Sequence, residues 1–174
     1  MVVGRRIMEH FLQHPTTRLR VRQIERETGI SLPSVIRHVK RLEQEGILKQ
    51  QEVGGVTLYS ADRANEAYRK EKRLHNLRKI HESGLLRHLI DELDNPVVIL
   101  FGSYDKGDDT EDSDVDIYIQ TPSKKEPRID AYEKKLERSI QPHITKRLDD
   151  IKNDELKDNI INGTVLNGHV EVFA

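Results

Sequence analysis

Asp114 and Asp116 stand two residues apart in the run Ser113-Asp-Val-Asp-Ile-Tyr-Ile119, and a Gly102-Ser103 pair closes the preceding apolar run, Val97 to Phe101. Side chains alternate faces along a strand, so both carboxylates are expected to point the same way. Two carboxylates on one face make a hard-oxygen pocket suited to Mg²⁺ (or Mn²⁺), which keeps waters and shares substrate phosphates. Gly102 has no side chain to keep a phosphate from the backbone, and Ser103 adds a hydroxyl. Lys106 supplies a point charge nearby. A phosphate cradle beside a metal pocket is the equipment for holding a nucleotide and moving a nucleotidyl group.

The order strand, Gly-Ser, short helical stretch, Ser-Asp-x-Asp, strand resembles the nucleotidyltransferase superfamily of DNA polymerase beta, most closely its minimal nucleotidyltransferase members. The resemblance covers roughly the C-terminal half. It implies that Asp114 and Asp116 are catalytic metal ligands and that Gly102 and Ser103, with help from Lys106, bind the triphosphate. It implies an NTP, ATP first among them, as substrate or ligand. The family also uses a third carboxylate on a later strand. The matching strand is Ile140 to Ile144, where Ile140, Pro142 and Ile144 share one face and Gln141 and His143 the other. Neither is a carboxylate. His143 reads as a partly buried strand histidine that can alternatively serve as ligand or base. Glu171, in the apolar run Val170 to Phe173, has no place relative to the site from sequence alone. The remaining acids, Asp105, Asp108, Asp109, Glu111 and Asp112, read mainly as a solvated loop. An EF-hand is disfavoured because the bidentate Glu at the twelfth loop position is missing.

These residues need elements to position them, and 174 residues suffice for two small domains. The chain has no cysteine, which removes disulfides, zinc-thiolate sites and thiol catalysis together. No stretch reads as a membrane span and no signal-peptide core opens the chain, so a cytoplasmic protein without membrane contact is expected. The net charge of −1 conceals a division. Up to Glu82 there are 17 Lys and Arg against 10 Asp and Glu; from Ser83 onward there are 12 against 20. A basic half suits nucleic acid, and an acidic half suits a bound cation.

The basic half reads as a winged helix-turn-helix. Val3, Ile7 and Phe11 stripe a first helix ended by Pro15, and Val21, Ile24 and Thr28 mark a second that stops at Gly29. Ser31 is the expected N-cap of a third helix, with Pro33 in its first turn and Val35, Val39 and Leu42 buried. Gly54-Gly55 between two extended runs is a hairpin signal. The run from Arg20 to Gln50 looks like winged-helix repressors, whose third helix enters the major groove of double-stranded DNA. By that resemblance Ser34, Arg37, His38 and Arg41 contact bases or phosphates, and Arg18, Arg20 and Arg22 contact backbone phosphates.

The expected organisation is α+β with two domains: a winged helix-turn-helix over 1–62, a connecting helix over 63–82, and a polymerase-beta-like mixed sheet with flanking helices over 83–174. The connecting helix carries the stripe Ala64, Ala67, Tyr68, Leu74, Leu77 and Ile80. Two functional readings stay open. One is a DNA-binding protein that transfers a nucleotidyl group to a protein, RNA or small-molecule hydroxyl. The other is a catalytically degenerate, nucleotide-sensing transcriptional regulator or antitoxin, with a toxin-like protein as partner. A homodimer on a two-fold operator is compatible with both.

Overall fold

The structure is a computed structural model and describes residues 2–169, with side chains from residue 4. The chain divides into two compact units, Met1–His75 and Asn76–Ala174.

In the first unit, helices α1 (Val2–Gln13), α2 (Val21–Thr28) and α3 (Leu32–Gln44) precede a hairpin of β2 (Leu48–Val53) and β3 (Val56–Ala61). Ile7, Phe11, Ile24, Val35 and Val39 are fully buried, so the stripes read from the sequence form one core. Gly29 ends α2 with φ +66, and its N–H bonds back to the Glu25 carbonyl. Ser31 stands before α3 but makes no side-chain cap. The Glu25 carboxylate serves instead, accepting the Leu32 N–H at 3.0 Å. The Glu25 side chain from α2 satisfies the N–H of the first residue of α3, and this ties the two helices of the turn together.

The hairpin pairs Val53 with Val56 across Gly54-Gly55. A two-residue strand, β1 (Arg18–Leu19), adds to its other edge and gives the order β1-β3-β2. Two residues carry no readable alternation, so β1 was not visible in the sequence.

Helix α4 (Glu66–Ser83) contains the division between the units. Tyr68 belongs to the core of the first and Ile80 to the core of the second. Leu74, expected in the same stripe, is 47 % exposed. The stripe therefore comprises two short stripes for two cores rather than one continuous face.

In the second unit, α5 (Leu85–Glu92) leads to β4 (Val97–Phe101), α6 (Gly102–Lys106), β5 (Val115–Gln120), α7 (Asp130–Leu136) and β6 (Ile140–Thr145). A 3₁₀ turn at Leu148–Asp150, α8 (Asp154–Ile161) and β7 (Thr164–Asn167) follow. The sheet order is β6-β5-β4-β7; β5 and β6 are parallel, and β4 is antiparallel to β5 and to β7. A parallel pair needs a crossover, which α7 provides.

Val98, Leu100, Val115, Ile117, Ile119 and Ile140 pack with Leu85, Leu89 and Leu93 on one face. Ile99, Phe101 and Tyr118 pack with Ile151 and Ile160 on the other. Burial on both faces explains why β4 is an unbroken apolar run. Gly163, at the end of α8, lies so close to the Leu100 carbonyl and the Ile99 side chain that no Cβ fits. The expected strand Val170 to Phe173, with Glu171, lies outside the described residues.

Candidate functional site

Phe101, the last residue of β4, pairs in register with Asp116 on β5. The chain then turns at Gly102, with φ +77, into the single turn of α6. A Cβ at Gly102 would overlap the Asp116 carboxylate and stand 3.2 Å from its Cγ. The carboxylate thus lies directly against the backbone of the Gly-Ser turn. Glycine is needed there twice, for its left-handed backbone and for the absent side chain.

Ser103 is half-buried, and its carbonyl accepts the N–H of Gly107 and, at 3.0 Å, of Asp108. Lys106 is exposed at the end of α6, with Nζ 3.4 Å from Asn159 Oδ1 on α8. Ser113 Oγ accepts the Thr110 N–H at 2.9 Å and lies 3.2 Å from Thr110 Oγ1, which fixes the loop just before Asp114.

Asp114 is exposed and immediately precedes β5, whereas Asp116 is half-buried within it. Burial raises the pKa of Asp116 above the ordinary carboxylate range; the nearby His143 works against this and the negative charge of Asp114 adds to it. A half-buried carboxylate with a second negative charge beside it is poised to share a cation with that neighbour, which relieves the repulsion. Asp114 also borders an open cleft of about 380 Å³ with Glu133, Lys134, Arg138 and Ser139.

The strand position beside Asp116 is Gln141, its register partner on β6. His143 is two residues further, partnered with Tyr118, and its ring centroid lies 5.4 Å from that of Phe101. Ile140 and Ile144 pack in the opposite core, so Gln141 and His143 share the face of Asp116. Among the described residues, no group of three or more His, Asp or Glu side chains is placed to hold a metal ion. Two carboxylates and a backbone cradle fit an ion whose remaining ligands come from phosphate and water, which is the habit of Mg²⁺.

Two of the acids expected in a solvated loop are buried. Asp105 is 3 % exposed and accepts the Thr164 hydroxyl at 2.5 Å; Asp109 is 1 % exposed and accepts the Asn76 amide at 2.7 Å. The same amide donates to the Tyr104 carbonyl at 2.8 Å. The sequence marks neither acid, because their partners lie 59 and 33 residues away along the chain. They brace the α6 segment that carries the Gly-Ser turn.

In the first unit, α3 exposes Pro33, Ile36, Arg37, Lys40 and Arg41, and half-buries Ser34 and His38. Arg37 Nη2 lies 3.5 Å from Ser34 Oγ, and Arg41 Nε pairs with Glu45 at 2.7 Å. The His38 ring lies over Gly4 of α1, where a Cβ would stand 2.8 Å from Nδ1. Burial, then the charges of Arg37 and Arg41, push the pKa of His38 down. Arg20, Arg22 and Arg26 border a shallow cleft with Gln23, Glu25 and Leu58.

A four-stranded mixed sheet with a Gly-Ser turn against a paired Asp-x-Asp defines the second unit as a nucleotidyltransferase domain, and the first is a winged helix-turn-helix. Residues 83–167 match the family described as nucleotidyltransferase domain, and residues 2–52 match the family described as IclR helix-turn-helix domain. The chain is a fusion of these two domains. No curated protein and no solved structure matches it. Nucleotidyltransferase domains generally use NTP substrates and divalent metals. Among the described residues, no helix is long and apolar enough to cross a membrane.

Proposed function

We propose that the chain binds double-stranded DNA through its first domain and a Mg²⁺-bound NTP, ATP first among them, through its second. The observation that carries the second half is the Asp116 carboxylate resting on the backbone of Gly102, with Asp114 beside it. In this reading Asp114 and Asp116 hold the metal, while Gly102 and Ser103 receive the triphosphate through backbone and hydroxyl. Lys106, at the end of the same turn, adds a positive charge. A metal held there would neutralise the charge that develops on the departing pyrophosphate as the nucleotidyl group passes to the acceptor hydroxyl. The acceptor is a hydroxyl of a protein, an RNA end or a small molecule, and a toxin-like partner is one such protein.

Transfer also needs a group to take the acceptor's proton. Gln141 occupies the place beside Asp116 and its amide is a poor base. His143 takes that role only as neutral imidazole. Binding with slow transfer is therefore expected. This observation favours a second reading, in which the domain senses nucleotide while the winged helix regulates transcription.

Labelled NTPs offered to the protein itself, to RNA and to a candidate partner, with Mg²⁺ and then Mn²⁺, separate the two. Slow incorporation that rises in Gln141→Asp supports the transfer reading. Bound nucleotide with no incorporation in either protein supports the sensor. Fast wild-type turnover that survives His143→Ala contradicts the assignment of the base.

A further inference from the structure

The exposed residues of α3 follow the spacing i, i+3, i+4, i+7, i+8, i+11: Pro33, Ile36, Arg37, Lys40, Arg41 and Gln44. The opposite stripe, Val35, Val39 and Leu42, is buried in the core. This outward stripe differs from the one read in the sequence. His38 is turned over Gly4 of α1, and Arg41 is paired with Glu45 one turn further on. Ile36, which no sequence argument selected, lies between Pro33 and the cations Arg37 and Lys40 with 39 % of its surface exposed.

A lone exposed isoleucine needs no explanation in itself. Its position is what carries weight here. The stripe is basic, and Arg20, just before α2, and Arg22 and Arg26 on it border one cleft of the same unit, so the charge suits a polyanion. The apolar feature that duplex DNA shows to a helix in its major groove is the 5-methyl group of thymine. We propose that Ile36 is a specificity-determining residue that reads a thymine methyl, with Arg37 beside it available to a neighbouring base edge or phosphate. The inference rests on the DNA-binding reading of the first domain.

Full-length protein is used to select duplexes from a randomised DNA pool, and the enriched site is resynthesised with deoxyuridine replacing one thymine at a time. The exchange removes the methyl group and leaves base pairing intact. At one thymine position the wild type is expected to lose about three- to tenfold in affinity. Ile36→Ala should bind the thymine and uracil duplexes equally, with an unchanged unfolding temperature because the side chain is outside the core. Arg37→Ala should bind more weakly yet keep the methyl preference. Wild-type indifference to every replacement, or an undiminished methyl preference in Ile36→Ala, overturns the assignment. Failure to enrich any duplex, with no effect of salt or of Arg37→Ala on retention, shows instead that the DNA reading is wrong, and the inference falls with it.

Discussion

Asp116 is asked to do two things that conflict. Burial beside Asp114 raises its pKa, so folding binds its proton more tightly than the unfolded chain does. For a raised carboxyl the sign is unfavourable: in metal-free protein, stability falls as pH climbs from the ordinary aspartate pKa through the raised one. Asp116→Asn should therefore be more stable than the wild type at neutral pH without metal, and equal to it in acid. Thermal melts at several pH values check this; a variant less stable at neutral pH contradicts it. Gly102→Ala should fail on both counts, forcing φ +77 on an alanine and pressing a methyl into the carboxylate. A loss of about 1–3 kcal/mol is expected from the backbone alone, read by denaturant unfolding. The Gly-Ser and Asp-x-Asp motif was legible in the sequence because its residues are close along the chain. Asp105 and Asp109 were not, since the groups that donate to them are a threonine on β7 and an asparagine on α4, far off along the chain.

At the scale of elements, periodicity located every helix long enough to show a stripe and each strand with a buried run. It missed β1, which is two residues long, and misjudged the outward side of α3 at His38, whose contact is with α1. A helix's buried stripe can be read from its own sequence. The use of its half-exposed flank depends on a neighbour that the sequence does not name. Duplex binding through α3 should weaken steeply with salt, because phosphate contacts release counterions. Arg37→Ala should lower affinity and flatten that dependence by about one unit of slope. Arg41→Ala should lose less, since Arg41 already pairs with Glu45. Gel shifts over a salt series measure both, and binding insensitive to salt and to both arginines would favour a protein partner for this face. Asn76→Ala, which removes a donor from buried Asp109, should cost about 1–3 kcal/mol in denaturant unfolding.

For the whole molecule, the charge division follows the fold: the basic half carries the winged helix and the acidic half the two-carboxylate site. Each unit has its own core, so changes on one surface should leave the other's ligand alone. Arg37→Ala should keep nucleotide binding, and Asp114→Asn should keep DNA binding. The central claim is that Asp114 and Asp116 make a metal-dependent nucleotide site on the Gly-Ser turn. Titration calorimetry of Mg²⁺-ATP into the wild type and Asp116→Asn tests it most directly. The account predicts saturable heat from the wild type that disappears with EDTA, and binding weaker by at least about tenfold, or 1.4 kcal/mol, in the variant. Equal heats from the two proteins, or no heat from the wild type with any of the four NTPs, would contradict it.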